Sequence, residues 1–89
     1  ETAYRAALAI VPADPVVTHN LGVAIAARGR HREAIGCFEA ALRADPCFVS
    51  AHYNRAVALM TLGERQDAIK AFSRAAMIAG AALRSSRYA

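Results

Sequence analysis

The sequence predicts an all-α fold, a stack of antiparallel helical hairpins, and three observations carry the prediction. A shift of 34 residues brings the chain into register with itself. Each copy of that unit carries its own helix start and stop residues. Apolar side chains inside each unit recur at i, i+3, i+4 and i+7, the spacing of a helix face and not of a strand.

The repeat sets the boundaries. The shift aligns Pro15–Phe48 with Val49–Ala82, and eight aligned pairs are identical. They are Asn20/Asn54, Val23/Val57, Ala24/Ala58, Gly29/Gly63, Ala34/Ala68, Ile35/Ile69, Phe38/Phe72 and Ala41/Ala75. The period also runs backwards, since Tyr4, Ala7 and Pro12 precede Phe38, Ala41 and Pro46 by the same 34 residues. Glu1–Asp14 therefore reads as the second helix of a truncated repeat. A chain that opens inside a helical pattern reads as a fragment of a longer protein.

The elements follow in order. Asp14-Pro15 pairs a side-chain N-cap with a proline at the first helical position, where a missing N–H costs nothing. This predicts a first helix from about Pro15 to Arg28, ended by Gly29 in a left-handed conformation. A second helix is expected from about His31 to Ala44, with Glu33 in its first turn complementing the helix dipole. Asp45-Pro46 closes the unit. The second unit predicts a helix from about Phe48 to Leu62, a stop at Gly63, and a helix from about Arg65 to Ala79. Gly80 stands where the first unit has Pro46, and residues 81–89 are expected to form a tail or a short capping helix.

Packing follows from the same pattern. Leu21, Ala24, Ile25 and Arg28 share one face of the first helix, and Ala34, Ile35, Phe38, Ala41 and Leu42 share one face of the second. The alanines allow close helix approach, and Phe38 and Phe72 fill the space between hairpins. One hairpin cannot bury both faces, so neighbouring units must stack.

Composition narrows the function classes. The chain is 56% hydrophobic, largely through alanine, and no apolar run approaches the roughly 18 residues of a membrane span. The formal charge is +4, and Lys70 is the only lysine. Such an excess reads as a solvated arginine-rich surface, with acidic partners or nucleic acid as the alternative. Cys37 and Cys47 would lie about 15 Å apart along a helix axis (~1.5 Å per residue), too far for a disulfide. No Cys/His set has zinc-site spacing, no nucleophile elbow or glycine-rich phosphate loop is present, and no cofactor is implied.

The unit resembles the tetratricopeptide repeat. That family's order of large residue, Leu-Gly, large residue, Gly, Ala, aromatic, Ala and Pro falls on Thr18, Leu21, Gly22, Ile25, Gly29, Ala34, Phe38, Ala41 and Pro46. In the second unit it falls on His52, Arg55, Ala56, Leu59, Gly63, Ala68, Phe72, Ala75 and Gly80. The departures are Thr18 for an aromatic, Arg55-Ala56 for Leu-Gly and Gly80 for Pro.

The resemblance implies a superhelix whose concave face, lined by the first helix of each unit, binds an extended peptide or partner protein. The lining positions map onto Val16, His19, Asn20, Val23, Ala26 and Ala27, and onto Ser50, Tyr53, Asn54, Val57, Met60 and Thr61. Asn20 and Asn54 resemble the asparagine ladder in the repeats of protein O-GlcNAc transferases. A carboxamide offers two donors and an acceptor and so can grip a peptide backbone whatever its side chains. The competing reading is that these asparagines only solvate the groove. Tyr53 and Met60 offer an aromatic anchor and a thioether, or else pack against the next unit. His52 sits at a packing position, and His31 in the turn is expected to be exposed. The lysine of the family's C-terminal carboxylate clamp is missing, because the corresponding positions hold His19 and Val23 or Tyr53 and Val57.

Three other readings compete with peptide binding. The apolar faces of the end helices could stack copies into a homo-oligomer. The chain could be the substrate-recognition arm of a larger enzyme such as a glycosyltransferase, with no catalytic residue of its own. Arg28, Arg30, His31 and Arg32, with Arg84 and Arg87 in the tail, could meet nucleic acid, although at Arg28 and Arg30 a cation near a helix C-terminus already suits the dipole.

Overall fold

The computed structural model describes residues 14–88, with side chains through residue 83. Four α-helices follow one another: α1, Pro15–Ala27; α2, His31–Ala44; α3, Val49–Thr61; and α4, Arg65–Tyr88. They pair as two hairpins, α1 on α2 and α3 on α4, with α2 packed against α3 to join them. No described helix is long and apolar enough to cross a membrane. The helix expected over Glu1–Asp14 lies, except for Asp14, outside the described residues.

The start of α1 is built as its sequence requires. An Asp14 carboxylate oxygen accepts from the backbone N–H of Val16 at 3.0 Å and of Val17 at 3.3 Å. These bonds satisfy two of the donors that a helix start leaves orphaned. Gly29 and Gly63 have φ of 82° and 84°, the left-handed turn that separates the helices of each hairpin. The α2 helix begins without a side-chain cap, with Glu33 in its first turn. The α3 helix also lacks a side-chain cap at Phe48.

The second hairpin departs from expectation at its end. The last helix does not stop near Ala79 but runs unbroken through Gly80 to Tyr88, so residues 81–88 are not a separate capping helix. Glycine ends a helix only where the chain turns left-handed; in a helix interior it costs about 1 kcal/mol relative to alanine. The flanking Ala79, Ala81, Ala82 and Leu83 favour continuation, and no proline follows to clash with the preceding turn.

The α2 helix is the centre of the fold. Ala34, Cys37, Phe38 and Ala41 are almost wholly buried. Gly22 lets α1 come close: a Cβ there would lie 2.7 Å from Phe38 Cε1 and 2.9 Å from Cys37 Cβ. Ile35 belongs to a second cluster with Ala56, Ala58, Leu59, Ala68 and Ala71, and Phe72 packs at its margin. The repeat is thus asymmetric in burial. Ile35 is 6% exposed and Phe38 1%, whereas Ile69 is 58% exposed and Phe72 only half-buried. The cause is that α3 covers the first hairpin and no described element covers the second.

Each departure from the repeat pattern has a local solution. Thr18 is 2% exposed, and its hydroxyl donates to the Asp14 carbonyl at 2.9 Å. Arg55, in place of leucine, donates from Nε to a Glu39 carboxylate oxygen at 3.1 Å across the inter-hairpin boundary. Arg32 and Glu64 form a second tie between the hairpins. Both pairs are partly exposed, so each contributes about 0–1 kcal/mol and sets register more than stability. His52 is buried, and its Nε2–H donates to the Pro46 carbonyl at 2.9 Å. His31 is not the exposed turn residue expected: it opens α2 half-buried, with Nδ1 shut off from solvent and unbonded. Its ring lies where α1, α2 and α3 meet, beside Val23, Ala26 and Val57. Cys37 is buried and Cys47 exposed, both as free thiols.

Candidate groove on the concave face

The i, i+3, i+4, i+7 spacing places Val16, His19, Asn20, Val23 and Ala27 on one stripe of α1. Ser50, Tyr53, Asn54, Val57 and Met60 form the matching stripe of α3. Most of these side chains are exposed, including Val16, Asn20, Ala27, Ser50 and Met60. Val23 is 43% exposed, Val57 40% and Tyr53 54%. Apolar side chains left this open in a stripe are not serving the core.

Two polar residues of the stripe are bound to each other across the hairpins. The Asn54 amide N–H donates to His19 Nε2 at 2.8 Å. His19 therefore accepts at Nε2 in this arrangement. Its ring is held on two sides, with ring centres 5.6 Å from Phe38 and 4.9 Å from Phe48. Asn54 keeps a second amide proton and its carbonyl oxygen for other partners. Asn20 is exposed, and among the described residues it has no such tie. The two asparagines are equivalent in sequence and not in structure.

Among the described residues, two depressions lie along the stripe. The smaller, of about 100 Å³, lies where α1, α2 and α3 meet. Val23 and Ala26 form one wall, Asn54, Val57 and Ala58 another, and Phe38 and His31 the floor. The larger, of about 420 Å³, lies between α3 and α4 and brings Ser50, Tyr53 and Asn54 against Phe72, Ala75 and Ala79. Tyr53 meets Phe72 edge-on with ring centres 5.6 Å apart, the repeat-equivalent of the contact between His19 and Phe38. Val16, Asn20, Ala27 and Met60 line neither depression. Thr61 is exposed, and its hydroxyl donates to the Val57 carbonyl at 2.9 Å.

Sequence reasoning missed the residues that α2 and α4 supply, namely His31, Phe38, Phe72, Ala75 and Ala79. Their helical spacing marks them as core, and only the incomplete cover over each helix end turns them into walls of a groove. Among the described residues, no cluster of three His, Cys, Asp or Glu side chains could hold a metal ion.

Comparisons with known proteins agree with this architecture. A family model described as tetratricopeptide repeat matches residues 19–86. The chain is 40% identical over 65 residues to a peroxisomal targeting signal receptor of Eremothecium gossypii, covering 73% of this chain and 11% of that protein. A TPR repeat-containing thioredoxin, TTL4, of Arabidopsis thaliana is 38% identical over 66 residues, covering 73% of this chain and 10% of that protein. The chain thus spans about a tenth of the length of these relatives. A crystal structure of MamA superimposes with a TM-score of 0.84 at 24% identity, over 93% of this chain and 48% of that one, which is a likeness of fold alone. A second MamA structure, from MSR-1, gives 0.80 at 28% identity over 84% and 43%.

Proposed function

Since this chain belongs to the tetratricopeptide-repeat family, we propose that its concave groove binds an extended segment of a protein partner, gripped partly through its main chain. The observation that carries the proposal is the Asn54 carboxamide, held by His19 at 2.8 Å in the midst of exposed Val23, Tyr53 and Val57. A carboxamide already fixed in orientation loses little freedom on binding. The apolar side chains around it would shed water as the peptide settles. Asn20 provides a second, looser rung. Each main-chain hydrogen bond adds only about 0.5–1.5 kcal/mol net, so affinity depends on the apolar contacts beside it. Relatives named as receptors for a peroxisomal targeting signal support a recognition role over a catalytic one. An enzyme arm remains compatible with the same groove, which would then present substrate protein to a neighbouring domain.

The test is a pull-down from extract with the native domain beside the double variant Asn20→Ala, Asn54→Ala, with and without nuclease. The expected result is a set of proteins held by the native domain, lost with a variant of unchanged circular dichroism, and indifferent to nuclease. Capture that survives both substitutions, or vanishes with nuclease, removes the groove from consideration.

A second reading, stacking between copies, is favoured by one observation. Ile69, Met77 and Leu83 are 58%, 71% and 72% exposed along α4. Light scattering that finds a monomer across a hundredfold range of protein concentration would dispose of it.

A further inference from the structure

We infer that the small depression between α1 and α3 is a side-chain pocket that selects one branched aliphatic residue, valine, isoleucine or leucine, in the bound segment. The inference rests on the proposed peptide groove and specifies what that groove reads. Three features carry it: the pocket's size, its walls and its neighbour.

The volume is about 100 Å³. An apolar cavity of roughly 150 Å³ is what accepts a benzene ring, so a phenyl or indole group is too large here. A branched side chain of three or four carbons is the size that remains. The walls formed by Val23, Ala26, Val57, Ala58 and Phe38 are hydrocarbon; apart from the polar atoms of Asn54 and His31 they offer a charged side chain nothing in exchange for its water. The neighbour is Asn54, which lines this pocket while its amide is tied to His19 at 2.8 Å. One point on the groove floor therefore offers a fixed carbonyl oxygen and amide proton beside an apolar hole. An extended peptide that gave its main chain to Asn54 would direct the adjacent side chain into that hole. His19 touches no ligand in this arrangement; it is a positioning residue that aims the carboxamide.

The pocket is not a by-product of the repeat. The position of Ala26 in α1 is occupied in α3 by Met60, which is 43% exposed. A long side chain at this position is thus compatible with the helix, and the opening between α1 and α3 exists because residue 26 is small. Its rim is also soluble to substitution, since Val23 and Val57 are each about two-fifths exposed and bear little of the core.

The test is selection from a displayed library of random heptapeptides, read by sequencing, against four proteins: native, Ala26→Leu, Val57→Ala and Asn54→Ala. Circular dichroism and thermal melting first establish that each is folded. The expected outcome is that native selects peptides sharing valine, isoleucine or leucine at one position. Ala26→Leu fills the pocket, so this preference disappears and a synthetic selected peptide binds about tenfold or more weaker. Val57→Ala widens the pocket, so the preferred residue shifts to methionine or phenylalanine. Asn54→Ala weakens every selected peptide. Peptides that depend on Asn54 but show no aliphatic position, or are indifferent to Ala26→Leu, overturn the pocket and leave the groove standing. If native selects nothing above background, or its peptides ignore Asn54→Ala, both the pocket and the groove fall.

Discussion

Phe38 and Phe72 occupy the same place in two copies of one unit, so truncating each to alanine isolates what the stacked neighbour contributes. Phe38 is 1% exposed beneath α3, and Phe72 is only half-buried at the margin of the second cluster. Removing a fully buried phenylalanine side chain costs about 3–5 kcal/mol, from lost transfer energy and the cavity left behind. For Phe72 a minor part of the ring is already in water and the space left opens to solvent, so the loss should be smaller, about 2–4 kcal/mol. A chain of 89 residues has a stability of roughly 4–13 kcal/mol at ~0.05–0.15 kcal/mol per residue. Phe38→Ala is therefore expected to leave the domain marginal or unfolded, and Phe72→Ala to leave it folded. Urea denaturation followed by far-UV circular dichroism measures the difference, since each kcal/mol moves the midpoint by about 0.3–1 M. The leucine pair, Phe38→Leu and Phe72→Leu, keeps the comparison quantitative if the alanine variant of the first does not fold, and the same order should hold. Equal losses at the two sites would refute the reasoning, because they would mean that Phe72 is covered in solution. A Phe72 loss that grew with protein concentration would identify the cover as another copy.

Two further outcomes probe local construction. Gly22→Ala should gain about 1 kcal/mol of helix propensity and lose about 1–3 kcal/mol to overpacking, because the new Cβ would fall 2.7 Å from the pinned ring of Phe38. A melting temperature at or below the native value is expected, and a clear rise would show that α1 stands farther from α2 than described. Asp14→Ala should cost about 1 kcal/mol by orphaning the N–H groups of Val16 and Val17, while Asp14→Asn should cost much less. Hydrogen exchange confined to the first turn of α1 is the discriminating measurement, since a global change would assign Asp14 some wider role.

Most of the fold was legible because each signal in the sequence is local. Glycine at 29 and 63, proline at 15 and the carboxylate of Asp14 act on backbone within four residues of themselves, and helices form between them as the pattern predicts. The end of α4 was not legible for the same reason. Gly80 resembles a stop signal only by its place in the period, and a stop needs a left-handed turn that nothing after residue 80 enforces. The candidate site was half-legible. The stripe of Val23, Asn54 and Val57 follows from helical spacing, but the tie between His19 and Asn54 spans 35 residues, one more than the repeat. It is a diagonal contact between neighbouring units, and a comparison of equivalent positions cannot reveal it. His31 was misplaced because a turn residue is ordinarily solvated, whereas here it lies against Val23 and Ala26 of α1 and Val57 of α3, a contact between units that spacing does not reveal.

On the proposed peptide-binding reading, that diagonal contact makes two units of one pattern unequal. Were the units equivalent, Asn20 and Asn54 would offer the same grip at each step, and a peptide could slide by one repeat at no cost. Asn54 is instead fixed by His19, and the ring of His19 is fixed in turn by Phe38 and Phe48. The residue equivalent to His19 in the second unit is Tyr53, which meets Phe72 but has no aromatic partner at position 82, where alanine replaces the phenylalanine of position 48. Asn20 has no partner that orients it among the described residues, and Asn54 thereby has one. Affinity should concentrate there, because a donor that is already oriented contributes more of its bond energy to binding than one that must be ordered first. Register in such a groove is then set by packing beneath the asparagine rather than by the asparagine itself.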